Sequence, residues 1–401
     1  MDEFDVIIVG AGPAGASCAR QIMEKNPSLS VMMFDRREEL GVPVRCGEGL
    51  EQAAEDYTGP IPKRAICKYI KGARVYAPDG RFLEADMTKM AGGRGGYVLD
   101  RKVFDKWLAF EAVKKGATVQ CDTLITDLIV ENGWIRGVRG INMGKEIVAR
   151  AKVVVCSTGA ESRLGMQSGL KTFCKAQLVD TCVEYEMTGS LADEEFIHLM
   201  LGSDIAPRGY AWIFPKGDGI ANVGVGVIPS PDPMKTALIY QEKFLKKYAQ
   251  FFDGKRNIME IKGGIVPVGD LMKDMVTNGF LVCGEAAHHV NPIHGGGIKE
   301  AIVSGQLAGD VVAGALGKND FSKQGLSSFN PLWWEVRGNH LRNVEKLREV
   351  FEKFSDKDLN DLVDALTPED LIDFSRGQKL GTLAKILLRK PSLMFLAKKL
   401  L

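Results

Sequence analysis

The chain has 401 residues, of which 45 are glycine, with 52 Lys and Arg against 51 Asp and Glu and 45% hydrophobic residues. That length exceeds a single small domain, and the composition excludes disorder and collagen-like repeats. A net charge of +1 excludes the broad basic field of a nucleic-acid binder. Glycine is the skewed number, well above the average of about 7%, and it signals close backbone approaches. The start, MDEFDVIIVGAG, is acidic and reads as no signal peptide, and no run of about 18 uncharged apolar residues predicts a spanning helix. The eight cysteines show no C-x-x-C pair, so neither a disulfide framework nor a metal site is expected, and a reducing cytoplasm fits them.

In chain order, Phe4–Val9 reads as a buried strand, followed by Gly10-Ala11-Gly12-Pro13-Ala14-Gly15, a helix to about Lys25, and a strand from Leu29 to Phe34. A helix is expected over 101–115, then short strands near 117–121, 124–130, 134–139 and 146–155. Residues 173–265 are strand-rich, broken by one amphipathic helix over 234–251. A strand at 279–283 leads through a glycine-rich turn into a helix over 298–315, and the remainder from 325 is helical and charged. The expected fold is α/β: a discontinuous Rossmann-like domain (1–70, 98–165, 266–320), a second, β-sheet domain (71–97, 166–265) and a helical C-terminal region (321–401). The last segment, TLAKILLRKPSLMFLAKKLL, reads as a packed terminal helix or a membrane-surface one.

A lone G-x-G-x-x-G is weak, but this one follows a strand, opens a helix, and has Asp35 20 positions after Gly15. Gly10 would make the tight turn, Gly12 would let a pyrophosphate approach, and Gly15 would allow close helix–strand packing. The helix N-terminus offers free N–H groups to phosphates. Asp35 would accept hydrogen bonds from ribose hydroxyls and repel a 2′-phosphate. A second strand-loop-helix, GFLVCGEAAHHVNPIHGGG, brings Glu285 and the N-terminus at Gly295, Gly296, Gly297 and Ile298 toward the same ligand, as a long flavin dinucleotide requires. His288, His289 and His294 in that loop read as hydrogen-bonding residues or, alternatively, proton shuttles, and no metal is expected.

With these motifs the chain resembles the geranylgeranyl reductase family of FAD enzymes, among the p-hydroxybenzoate-hydroxylase-like flavoproteins, and above all its archaeal branch acting on digeranylgeranylglycerophospholipids. The likeness spans nearly the whole length. Val44-Arg45-Cys46-Gly47-Glu48-Gly49 matches the family's cysteine loop, and Asp100-Arg101 its FAD-contacting arginine. Pro207-x-x-Tyr210-x-Trp212-x-Phe214-Pro215 matches its substrate-cavity signature. The resemblance implies FAD contacts at Ala14, Gly15, Asp35, Arg45, Cys46, Gly47, Gly49, Arg101, Ile125, Glu285, Gly297 and Ile298. Two positions depart from the family pattern: Glu285 stands where Asp is usual, and Thr158-Gly159 where Asp-Gly is usual.

Tyr210, Trp212 and Phe214 alternate at period two and so share one strand face. On spacing alone they either fill a core or wall an apolar substrate site; the resemblance implies the second, with Pro215 beside them. Cys46 sits among turn residues next to Arg45, a setting that would tune a thiol for proton transfer. It either donates a proton or only packs against the flavin. Saturating an isolated alkene requires a hydride at one carbon and a proton at the other, and Cys46 or a water near it is the candidate proton source. The resemblance implies an isoprenoid ether-lipid substrate with an anionic head group and peripheral membrane contact. It also implies an external electron donor: NAD(P)H, a reduced deazaflavin or a ferredoxin. The alternatives are an aromatic monooxygenase of the same fold and a non-catalytic electron-transfer or lipid-binding flavoprotein. The glycines of 92–96 before Tyr97 read as a mobile cover, an anion-binding loop or a plain turn.

Overall fold

The fold is that of a computed structural model describing residues 2–376 and 378, apart from 91, 92, 162, 231, 233 and 234. Gly92 and the final segment 382–401 therefore lie outside the described residues. Asp2–Val9 (β1) is fully buried over Val6–Val9, since it runs centrally in a parallel sheet and meets apolar neighbours on both faces. Pro13–Lys25 (α1) returns the chain to Val31–Phe34 (β2), which pairs parallel with β1 from Val6↔Val31 onward. Arg101–Lys114 (α2) opens on an Asp100 cap whose carboxylate accepts from Lys102 and Val103 N–H. Lys145–Cys156 (β3) flanks β1 on its other side, also parallel. Short parallel strands extend this sheet at Thr118–Gln120 and Phe280–Val282, and an antiparallel pair, Thr123–Glu131 and Trp134–Asn142, hangs on β3.

The second sheet has seven strands. Its centre is Val179–Met187 (β4), Tyr210–Gly217 (β5) and Ile220–Val227 (β6). The amphipathic helix Ala237–Lys247 (α3) is shorter than the predicted 234–251 because Thr236 caps it, and Phe244, Tyr240 and Leu245 bury its inner face. Ile258–Pro267 (β7) forms one edge, beside β4. Gly72–Tyr76 and Phe82–Asp86 complete the other edge beyond Phe196–Met200. A satellite core of Ala211, Ile213, Ala221, Val223 and Val225 under α3 takes one face of this sheet. The alternate residues Tyr210, Trp212, Phe214, Gly224 and Gly226 consequently face the opposite way.

Ile298–Gly317 (α4) lies against α1 almost backbone to backbone. A Cβ on Gly305 would stand 2.2 Å from the Ala14 carbonyl oxygen, and one on Gly309 would stand 2.8 Å from that of Cys18. This crossing holds the N-termini of two helices from opposite ends of the chain at one sheet edge. A small sheet of Gly49–Glu51, Gly96–Leu99 and Ile66–Ile70 joins the two larger ones. Its strand Gly96–Leu99 runs across the 97/98 boundary expected from sequence.

Asn339–Phe351 (α5), Asp356–Ala365 (α6) and Pro368–Ser375 (α7) close the molecule, the last two started by capping boxes at Ser355/Asp358 and Thr367/Asp370. Arg348 of α5, nearly buried, pins this cover to β4. It donates to Asp180 at 2.8 and 3.2 Å, to Glu352 at 2.8 Å and to the Pro292 carbonyl at 2.7 Å. All eight cysteines are free thiols. Among the described residues no helix is long and apolar enough to cross a membrane.

Candidate active site

One cavity of about 1390 Å³ runs from the carboxyl ends of β1 and β2, past the Cys46 loop, to the inner faces of α5–α7. That volume exceeds the roughly 300–1,000 Å³ of a site for one drug-sized ligand.

Backbone builds its first end. Gly10 adopts φ +98°, and a Cβ there would stand 2.5 Å from the Ser157 carbonyl oxygen, so only glycine makes this turn from β1 into α1 beside the end of β3. Gly15 packs so closely that a Cβ would lie 1.9 Å from the Gly10 oxygen. Gly12 is the reverse: nothing lies within 4 Å of its Cβ position, which opens on the cavity. No side chain caps α1, leaving its first turn of N–H groups to a ligand. Asp35 is oriented by Ala11 N–H and Arg37 N–H, each at 2.9 Å on a different carboxylate oxygen. Each oxygen keeps a lone pair for the cavity.

The second strand-loop-helix meets this end as the sequence predicts. Glu285 leans toward the 158–160 segment, its Oε2 3.5 Å from the Cβ position of Gly159. Burial pushes its carboxyl up to about 7, against the Ala160 N–H and Arg101, which favour its charge. Gly295, Gly296, Gly297 and Ile298 line the cavity, and α4 starts there with no side-chain cap. Arg101 is locked by a two-pronged ion pair with buried Asp105 at 2.7 and 2.8 Å. Ile125 lines the same end. Of the loop histidines, His288 bridges the Asp270 and Thr172 carbonyls and His289 stacks on Trp333, while His294, which lines the cavity, accepts from Gly296 N–H at Nδ1. Among the described residues no cluster of ligands could hold a metal.

At the middle, the loop 44–49 presses onto the second sheet. Cβ positions of Gly47 and Gly49 each lie 3.0 Å from the Phe214 ring, so glycine is what lets loop and aromatic strand meet. Burial pushes the Cys46 thiol up, opposed by Arg101 and the Glu48 N–H. This corrects the expectation that neighbouring Arg45 tunes the thiol. The Arg45 guanidinium is turned to Glu161, which it shares with Arg36, and the arginine whose field reaches Cys46 is Arg101. The thiol is therefore protonated at neutral pH.

Tyr210, Trp212 and Phe214 form a continuous ring row, with centroids 5.7 and 6.3 Å apart, and all three line the cavity. Tyr210 Oη donates to the His294 carbonyl at 2.6 Å, tying the row to the glycine loop before α4. Pro215 and Gly15 are the two expected site residues that do not line it. Pro215 falls on the α3 side by strand alternation, and Gly15 sits behind the turn it permits. Beyond the rings the wall from α5–α7 and their connections sets apolar Phe351, Phe354, Leu362, Leu366, Ile372 and Phe374 beside charged Arg348, Glu352 and Arg376.

Sequence reasoning missed the polar floor beneath Cys46. Glu48 (φ +70°) is buried and joined to Lys216 at 2.7 Å, Asn222 at 2.7 Å and Lys262 at 3.2 Å. Trp212 Nε1 donates to Glu184 Oε2 at 2.7 Å. The available signal was the Gly224-Val225-Gly226 alternation following the aromatic one.

The glycine turn is that of a Rossmann-like nucleotide-binding protein, and the cavity it opens on continues into a chamber walled by the second sheet. A model of the geranylgeranyl reductase catalytic domain matches residues 179–266, the span from β4 to β7, and one of the NAD(P)-binding Rossmann-like domain matches residues 8–55. Digeranylgeranylglycerophospholipid reductase of Methanocella arvoryzae is 39% identical over 98% of this chain and 97% of its own. A Methanopyrus kandleri reductase of the same name is 34% identical over 100% of both chains. The crystal structure of a geranylgeranyl bacteriochlorophyll reductase-like protein from Thermoplasma acidophilum superposes with a TM-score of 0.89 at 30% identity over 100% of both chains. A myxobacterial FAD-dependent halogenase shares the fold alone, with a TM-score of 0.70 at 19% identity over 85% of this chain and 82% of its own. The chain belongs to the geranylgeranyl reductase family.

Proposed function

We propose that this protein is an FAD-dependent reductase that saturates the isolated C=C bonds of geranylgeranyl chains in digeranylgeranylglycerophospholipids. One observation carries the reading: a single cavity joins a glycine-built dinucleotide turn to an apolar chamber, and Cys46 lies where they meet. The residues fit FAD. Gly10, Gly12 and Ala14 with the open first turn of α1 would take the pyrophosphate and Asp35 the ribose. Arg101 and Glu285 would flank the middle of the cofactor, and Gly295–Ile298 would meet the flavin. Segments 1–70, 98–165 and 266–320 would form the FAD-binding domain, and 71–97 with 166–265 the substrate domain. When bound and reduced, the flavin supplies hydride.

The chain's own groups do the rest. The Tyr210–Trp212–Phe214 row and the α5–α7 wall bind the isoprenoid chain by burial, at about 0.8 kcal/mol per CH₂, and exclude water from the reacting bond. Cys46, kept protonated by burial, holds the proton an alkene carbon needs. The electron donor is an external reductant, and a lipid substrate implies peripheral, reversible membrane contact. The test is anaerobic single turnover of the dithionite-reduced protein with a geranylgeranyl lipid. Flavin reoxidation with a product mass gain of two per bond is the expected result. No reoxidation, or reoxidation only with oxygen, overturns the reading.

A further inference from the structure

The cavity face of the second sheet is arranged in rows that cross its central strands. Trp212, Gly224, Glu184 and Lys262 are directly opposed on β5, β6, β4 and β7 in turn. Gly224 has no side chain to fill its place in this row, and the Trp212 indole lies across it, with Cζ2 only 2.4 Å from where a Cβ would be. The indole N–H thereby reaches Glu184 Oε2 at 2.7 Å, while Lys262 Nζ stands 3.2 Å from Oε1. Glu184 is buried, lines the cavity, and its Oε2 lies 3.4 Å from the Cβ position of Gly47, the residue next to Cys46.

Charge counting singles Glu184 out. The cluster sets two ammonium groups, Lys216 and Lys262, against three carboxyls, Glu48, Glu184 and Glu186. Glu48 and Glu186 accept from Lys216 at 2.7 and 2.8 Å, and Lys262 lies 3.2 and 3.5 Å from them. The groups facing Glu184 are Lys262 from β7, Glu48 and Cys46 from the loop, Trp212 from β5, and Cys182 on its own strand. Glu48 and Glu186 each meet both lysines and Glu184 only Lys262, so Glu184 is the carboxyl least matched by countercharge. Burial pushes it up to about 7, against Lys262 and Trp212, which favour its charge. Glu186, with its side chain 25% exposed, connects this interior to water through Lys262.

We infer that Glu184 is the proton reservoir of the site, a positioning residue that acts through Cys46. The inference rests on the reductase reading above. The S–H bond of Cys46 breaks as a C–H bond forms on one alkene carbon, and hydride from the reduced cofactor completes the other carbon. The Glu184 O–H then breaks to restore the thiol, and a proton from solvent, relayed past Glu186 and Lys262, restores Glu184. Without the reservoir, the half-buried thiolate would wait on water entering the cavity for its proton.

The experiment pairs an infrared pH titration of the holoenzyme with turnover on the geranylgeranyl lipid. In the titration, a protonated-carboxyl band is expected to vanish near pH 7 in the wild type. That band should be absent from Glu184→Gln, while the Glu285 band, in the same range, is kept. In turnover, the wild-type rate falls as pH rises through about 7. Glu184→Gln should lose at least about tenfold in turnover with normal flavin content, and Glu184→Asp should recover part of both rate and pH limb. Trp212→Phe deletes the N–H that favours the charged form, so the limb moves to higher pH. A Glu184→Gln protein with wild-type turnover and pH profile, or with no carboxyl band lost, overturns the inference. Should Glu184→Gln not fold, an unmoved limb in Trp212→Phe overturns it instead. Failure of the wild type to add two mass units per bond overturns the underlying reading rather than this one.

Discussion

The two ends of the cavity are built from different materials. At the dinucleotide end much of the lining is backbone, the Gly10 turn and the uncapped first turns of α1 and α4, with the Asp35 carboxylate held by two N–H groups. At the chamber end it is side chains, delivered by the second sheet and the C-terminal helices. Backbone recognition suits a ligand whose phosphates never vary. An apolar chain with few polar handles is recognised by shape and burial, which only side chains supply. The difference teaches that the ends should fail separately under mutation.

The severest separation is expected from the cover. Arg348→Ala leaves Asp180 buried without its partner, a loss of about 3–5 kcal/mol where a buried pair is broken. A clear drop in melting temperature, with chamber-side cavity residues becoming protease-sensitive first, is the expected outcome; an unchanged melting temperature would show that α5–α7 do not depend on that anchor. Next, Gly15→Ala forces a Cβ to within 1.9 Å of the Gly10 oxygen. Overpacking of about 1–3 kcal/mol should cut flavin retention at least about tenfold, read from flavin absorbance per protein, with lipid binding kept. Joint loss of flavin and lipid binding would break the comparison.

Cys46→Ser tests the meeting point. Its hydroxyl is a poorer acid, so alkene reduction should fall by about 10²-fold with flavin content unchanged, and wild-type turnover would remove Cys46 from the chemistry. Gly224→Ala places a Cβ 2.4 Å from the Trp212 ring. It should raise the lipid KM and lower turnover while leaving flavin absorbance intact, and any loss of flavin would show the ends to be coupled. The smallest effect is expected from Leu362→Ala on the chamber wall, about the 0.8 kcal/mol of one buried CH₂, read as a raised KM with kcat little changed.

Legibility followed the same division. The β1–α1–β2 unit, the helix opening at Arg101, the Glu285 loop and the α4 start were readable because each is local: a few residues set the turn or the helix. The aromatic row was readable as a shared face, though not what it faced, and Pro215 belongs to the opposite side of the strand. Arg45 misled because adjacency in sequence does not decide where a long side chain turns, and Glu161, distant in sequence, captured it. Glu184, Lys262 and Glu48 carried no local pattern at all. Their meeting depends on the register of β4 with β7 and on where the 44–49 loop lands.

The sequence by itself determined the glycine turns, the alternation of the aromatic strand and the family to which the chain belongs, since these are properties of contiguous residues. Only the tertiary structure decided that one cavity links the two ends, that Arg101 rather than Arg45 faces Cys46, and that three carboxyls share two lysines beneath it. The physical reason is that burial and charge balance are summed over groups from several strands and loops, and no stretch of sequence contains that sum.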